Sequence, residues 1–207
     1  MRLIVTAGPT REYLDPVRFL SNPSTGKMGF AIAAEAARRG HRVTLVAGPV
    51  ALKTPKGVKR VDVTSAREML AAVRAVKADV FVSTAAVADW RPARCAVKKL
   101  KKGEMSGVLR LVRNPDILKT VKFPVKIGFA AETNDVLREA VRKCREKKLR
   151  FIVANDVSEK GSGFGTDTNR VTFVFANGSV RCCPLMTKRR VAKEILDELS
   201  QRTRENF

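Results

Sequence analysis

Histidine and tyrosine each occur once in 207 residues, and aromatic side chains make up only 6 % of the chain. Four cysteines are present, Cys95, Cys144, Cys182 and Cys183, with no C-x-x-C pair among them. With His41 as the single histidine, the four close Cys/His ligands of a structural zinc site cannot be assembled. These thiols therefore read as reduced, small packed hydrophobes of a cytoplasmic protein. The apolar stretch in Met1–Thr6 is far too short for the core of a secretion signal, and no run approaches the roughly 18 apolar residues of a membrane span. No membrane association is expected.

Nucleotide-binding signatures are missing too. The first apolar run, Leu3–Thr6, is followed by Gly8-Pro9-Thr10 and not by G-x-G-x-x-G. No acidic residue closes the second run at Val46-Ala47-Gly48, so nothing stands ready to bind a ribose 2′-hydroxyl. Tyr13 has Val17 four residues on, which excludes a Tyr-x-x-x-Lys proton relay. The segment from Ser21 to Met28 resembles a P-loop, but Ser21 stands where glycine is needed and Met28 where Ser or Thr is needed. What it shares with one is a Ser/Gly-rich loop feeding a helix N-terminus, which can face an anion. The competing reading is that Ser24 or Thr25 merely caps that helix.

Acidic residues are scarce relative to basic ones, 20 Asp plus Glu against 41 Lys plus Arg, for a formal charge of +21. At 44 % hydrophobic residues there is ample material for a core, so disorder is excluded despite that charge. The surplus points to anionic partners, either nucleic acid or small phosphorylated molecules. The length fits one domain, residues 1–207.

Strand and helix signals alternate along the chain. Leu3–Thr6, Val43–Val46, Val80–Val82, Val125–Ala130 and Phe151–Ala154 read as buried strands. Gly26–Gly40 reads as an Ala-rich helix, and a capping box at Ser65 and Glu68 opens another carrying Met69, Leu70, Val73 and Val76. Pro115 opens a short helix with Asn114 as N-cap. A further helix turns Val136, Leu137, Ala140, Val141 and Cys144 inward. Asn177-Gly178 is a two-residue hairpin signal between Val171–Phe175 and Ser179–Cys182. The last helix, after Thr187, buries Val191, Ile195, Leu196 and Leu199. The segment from about 91 to 107 is basic and weakly patterned, and reads as a flexible lid. The expected fold is α/β: a Rossmann-like, doubly wound, mostly parallel sheet with helices on both faces, ligands lying beyond the carboxyl ends of the strands.

Several blocks, in order, carry a family resemblance. They include Thr6-Ala7-Gly8, Asp15-Pro16-Val17-Arg18, Ser21-Asn22-x-Ser24-x-Gly26-Lys27-Met28-Gly29, Ala85-Ala86-Val87-Ala88-Asp89-Trp90-Arg91-Pro92 and Lys99-x-Lys101-Lys102. Further on stand Asn114-Pro115-Asp116-Ile117-Leu118, Gly128–Thr133 and Ala154-Asn155-Asp156-Val157-Ser158. Together they resemble phosphopantothenoylcysteine synthetase, the phosphopantothenate–cysteine ligase family of coenzyme A biosynthesis. The resemblance implies activation of the 4′-phosphopantothenate carboxylate by a nucleoside triphosphate, CTP in the bacterial branch that these blocks resemble. Cysteine then displaces the nucleotide to form an amide. It also implies Mg²⁺ with the triphosphate, no named metal ligand, and a homodimer.

The family's roles transfer residue by residue. Asn22 matches the asparagine that contacts the acyl intermediate, and Lys99 matches the lysine that contacts the triphosphate; both are the expected catalytic residues. Ser24, Gly26 and Lys27 join Asn22 in binding the acyl substrate. Ser83, Thr84 and Ala85 end a strand where backbone groups can read a base edge. Asp89, Asn114, Pro115, Asp116 and Ile117 are expected against the nucleotide, and Phe129 on its base. Lys143 and Lys147, one helical turn apart, correspond to further nucleotide contacts; the alternative for Lys143 is a pair with Glu139. Pro9, in place of a second glycine, and Pro23, at a position often basic, depart from the family pattern. The length leaves no room for the flavin-dependent decarboxylase often fused ahead of this domain, so a stand-alone or an excised ligase is expected. The alternative function is a basic nucleic-acid-binding protein on the same fold, which the charge alone suggests.

Overall fold

The computed structural model describes residues 1–104, 107–132, 136–156, 159 and 161–204. Thr133, Val157 and Ser158 of the matching blocks lie outside the described residues, as do positions 105 and 106 of the expected lid and the side chain of Val136.

Strand β1 (Arg2–Ala7) leads through a hairpin, β2 (Arg11–Tyr13) and β3 (Phe19–Ser21), into helix α1 (Lys27–Arg38). β4 (Arg42–Ala47), β5 (Val58–Asp62), α2 (Ala66–Arg74) and β6 (Val80–Ser83) follow. β7 (Trp90–Pro92) and β8 (Leu111–Arg113) form a ribbon, then come α3 (Ile117–Thr120), β9 (Val125–Glu132), α4 (Val136–Glu146) and β10 (Phe151–Asp156). The chain closes with β11 (Thr168–Asn169), β12 (Thr172–Phe175), β13 (Val180–Cys182), β14 (Met186–Thr187) and α5 (Lys188–Arg204).

The main sheet has the order β13-β12-β10-β9-β6-β1-β4-β5. Six neighbouring strands, β10 to β5 in that order, run parallel, and β12 and β13 add an antiparallel hairpin at one edge. Strand alternation splits the apolar residues between two cores. Leu3 and Val5 of β1 face a core with Phe30 and Ile32 of α1 and Ile195 and Leu196 of α5. Ile4, between them, faces the opposite core with Met69 and Val73 of α2 and Cys144 of α4. Helices thus cover both faces, and the expected doubly wound architecture is present.

Local departures have physical causes. β5 carries Lys59 and Arg60 and lies at the sheet edge, where few apolar residues are needed, so its composition did not announce a strand. Asp116, not Asn114, is the N-cap of α3, its carboxylate accepting from the Lys119 amide. Leu137, in the first turn of α4, is 47 % exposed and not inward, because the stripe meeting the sheet runs through Ala140 and Cys144. The β12–β13 hairpin closes over three residues between the paired Phe175 and Ser179, with only Gly178 at positive φ (89°). A two-residue turn of the expected kind would need that conformation at Asn177 as well. The expected lid rises from the exposed β7–β8 ribbon and contains one 3₁₀ turn, Lys102–Glu104.

Candidate active site

β1 connects through α1 to β4 on one side, whereas α2 returns the chain to β6 on the other. The carboxyl ends of β1 and β6 therefore form a topological switch point, where such sheets bind ligands. The two loops leaving it are stitched together. The Ala86 amide donates to the Gly8 carbonyl at 2.9 Å, and the Thr10 amide donates to the Ala86 carbonyl at 3.3 Å. Thr84 donates from Oγ1 to the Thr6 carbonyl, and the Ala85 amide donates to Thr6 Oγ1 at 3.4 Å.

A cleft of about 310 Å³ opens there. Its near wall is the start of α1. Gly26 is the N-cap with φ 77°, and no side chain caps the helix, so neither Ser24 nor Thr25 plays that part. A side chain at position 26 would strain the backbone. One turn on, a Cβ at Gly29 would stand 2.5 Å from both the Ala7 Cβ and Thr84 Oγ1, so glycine lets α1 lie against β1 and β6.

The cleft gathers Ser24, Gly26, Lys27, Thr84, Ala85 and Asp89 on one side. Phe129 of β9, Lys143 of α4 and Lys147 just past the end of α4 also line it. Asn22 reaches this wall from its loop, its Nδ2 donating to the Ala86 carbonyl at 3.0 Å. Ser83, still in β6, sits in register with Thr6 and Gly128 directly below.

Other expected residues lie further out. Asn114 grips the 88–91 segment, donating to the Ala88 carbonyl at 2.9 Å and accepting from Arg91 at 3.1 Å. It lines a neighbouring cleft with Asp116, and Lys143, Lys147 and Asp89 line both. Asp116 pairs with Lys147 at 2.7 Å. Burial pushes the Asp116 carboxyl up, but the Lys147 ammonium and the Lys119 amide prevail and hold it below its usual value. Pro115 precedes the α3 cap, and Ile117 is buried in the core below it. Glu139 pairs with Arg142 at 2.7 Å and also feels the Lys143 charge.

Lys99 is exposed on the ribbon excursion and does not line the cleft. Its neighbour Leu100 is held on both main-chain groups by the turn between β2 and β3. The Leu100 amide donates to Asp15 Oδ2 at 3.3 Å, and Arg18 donates to the Leu100 carbonyl at 2.8 Å. Asp15 is fully buried. Burial would raise its carboxyl, yet the Arg18 guanidinium and the Val17, Arg18 and Leu100 amides keep it well below the usual carboxylate range.

Sequence reasoning missed a whole wall. Gly163, Phe164, Asn169 and Lys188 also line the cleft, the first two from the loop between residues 161 and 167. Thr25 Oγ1 donates to the Phe164 carbonyl at 2.7 Å, and Lys27 pairs with Asp167 at 2.7 Å. Glycine repetition from Gly161 to Gly165 was the available signal. Among the described residues, Asp89 is the single carboxylate lining the cleft, and no cluster of three or more His, Cys, Asp or Glu could hold a metal. No helix among the described residues is long and apolar enough to cross a membrane.

Residues 1–203 match the family described as "DNA/pantothenate metabolism flavoprotein C-terminal domain". The chain is 48 % identical over 212 residues to the coenzyme A biosynthesis bifunctional protein CoaBC of Escherichia coli strain K12, covering 98 % of this chain and 52 % of that protein. It is 47 % identical over 206 residues to its counterpart from Vibrio vulnificus strain YJ016, covering 95 % of this chain and 51 % of that one. The chain thus spans about half the length of these relatives. The crystal structure of the C-terminal domain of a CoaBC protein superposes with a TM-score of 0.83 at 43 % identity, covering 99 % of this chain and 96 % of that domain.

Proposed function

The chain belongs to the DNA/pantothenate metabolism flavoprotein C-terminal domain family, and from that premise we propose that it is a phosphopantothenate–cysteine ligase using CTP. One observation carries the reading: residues from blocks between Ser24 and Lys147 line a single cleft at the switch point, with Lys27, Lys143, Lys147 and Lys188 in its lining, and Asn22 is bonded to the Ala86 carbonyl of its wall. That is a site for phosphorylated ligands, not for a covalent nucleophile.

In this reading the phosphopantothenate carboxylate oxygen attacks the α-phosphorus of CTP. A P–O bond forms, the bond to the β-phosphate breaks, and pyrophosphate leaves. The cysteine amine then attacks the acyl carbon and gives up its proton, an amide bond forms, and CMP departs. Both nucleophiles come from substrates, so the protein supplies positioning and charge neutralisation. Asn22 is fixed through the Ala86 carbonyl and keeps a second amide proton for the oxygen that gains charge. Lys143 of α4 and Lys147 just beyond its end hold the nucleotide, and Lys99 reaches the triphosphate when the ribbon closes. Mg²⁺ would accompany the triphosphate as a charge-neutralising ion that needs few protein ligands, and Asp89 is the one carboxylate among the described residues lining the cleft.

A homodimer in the cytoplasm completes the proposal. Val17 and Phe19 on the β2–β3 hairpin, and Trp90, Val108 and Leu111 on or beside the ribbon packed against it, are all exposed. A second copy of the chain would cover that apolar face. Purified protein given phosphopantothenate, cysteine, Mg²⁺ and CTP is expected to release equal amounts of pyrophosphate and CMP, with ATP a poorer substitute. Absence of turnover with every triphosphate overturns the reading.

A further inference from the structure

Lys188 begins a Lys-Arg-Arg run that looks like ordinary surface charge, yet its neighbours Arg189 and Arg190 are exposed and Lys188 is buried at 7 % accessibility. Its ammonium donates to the Thr166 carbonyl at 2.7 Å, the Gly163 carbonyl at 2.8 Å and the Phe164 carbonyl at 3.4 Å. Three acceptors use all three of its protons. Each belongs to the loop that forms the missed wall of the cleft, and Lys188 lines the cleft itself.

The arrangement is costly if its only purpose is to hold a surface loop. A buried ammonium gives up hydration, and neutral carbonyls repay it less than a carboxylate would. Burial lowers the lysine's proton affinity, the nearby Lys27 lowers it further, and only Asp167 acts against them. Lys27 also fastens this loop, through the Gly165 carbonyl at 3.0 Å and through Asp167. Two cations therefore converge on one loop from α1 and α5, beside the cleft.

We propose that Lys188 is a positioning residue, whose ammonium draws the 161–167 loop over the start of α1 and so fixes the wall that Gly163 and Phe164 present to a phosphorylated ligand. The proposal rests on the ligase reading for the identity of that ligand. The hold on the loop itself is independent of it.

Lys188→Ala and Lys188→Met in the full chain provide the test. Lys188→Ala is expected to raise the KM of phosphopantothenate or of CTP about tenfold while kcat at saturation stays within about threefold, the pattern of lost uniform binding. n-Propylammonium, which replaces the missing side-chain atoms, should restore that KM. Hydrogen exchange of the 163–167 amides should quicken in Lys188→Met with the sheet unchanged, and Arg189→Gln should match the wild type in all readouts. A fall in thermal stability with both KM values and the exchange of the loop unchanged overturns the proposal. If the wild type turns over no triphosphate, the ligase reading fails, and exchange of the loop alone judges Lys188: unchanged protection in Lys188→Met refutes the clamp.

Discussion

Two segments expected to serve the cleft are held in opposite ways. The 161–167 loop is short, rich in glycine, and fastened from two helices by Thr25, Lys27 and Lys188. The 93–110 excursion is longer and basic, stands on an exposed two-stranded ribbon, and is fastened away from the cleft by Asp15, Arg18 and Leu14. The first is built in place. The second leaves Lys99 outside the cleft, beside the knot of Arg18 and the buried Asp15.

That contrast breaks most sharply at Lys99. Lys99→Ala is expected to lower kcat/KM for CTP by about 10–100-fold, as loss of one charge-assisted phosphate contact implies. Steady-state turnover measures it, and thermal stability should not move. Next in size, Asp15→Asn keeps the shape of the knot but removes the carboxylate that Arg18 and three amides surround. Turnover should fall by about tenfold. Hydrogen exchange should quicken around residues 96–100 and stay unchanged at 163–167; quickening in both segments would show that they are one unit. The smallest effect concerns neither cover but the helix pair beneath the loop. Glu35 accepts from Arg38 and Arg39, and Arg39 reaches across to Asp197 of α5 at 2.8 Å. The Arg38 hydrogen bond chiefly, against burial, holds the Glu35 carboxyl at about 2. Its stabilising share is complete above about pH 4.5 and is lost as pH falls towards 2. Glu35→Gln should cost on the order of 1 kcal/mol at neutral pH and flatten the acid limb of the stability profile, with turnover unchanged.

The parallel sheet was legible because its strands are buried on both faces and read as unbroken apolar runs, and the helices announced themselves by stripe and capping box. Pieces that needed no apolar run escaped: edge strand β5, the three-residue strands β2, β3 and β7, and the carboxylate cap at Asp116; of the ribbon strands β8 alone was legible, from the extended pattern of Val108–Val112. For the site, position along the sheet and blockwise resemblance brought Asn22, Lys27, Asp89 and Phe129 to one place. Lys188 was illegible, because its burial depends on carbonyls 22 to 25 residues earlier and its sequence surroundings are those of solvated charge. Much of that solvated charge is locally balanced. Arg38 and Arg39 share Glu35, Arg142 sits between Glu139 and Glu146, and Arg190 pairs with Glu194.

On the near wall of the cleft, Gly26, Gly29, Ala85 and Ala86 offer little beyond main chain. Such a surface has no rotamers to lose, so a ligand lying on it freezes little that was moving. In the ligase reading, the ordering cost of binding would fall on long side chains such as Lys143 and Lys147 and on the arm that carries Lys99. Affinity should therefore be tunable from the lysines and the 161–167 loop, with these small residues left as they are.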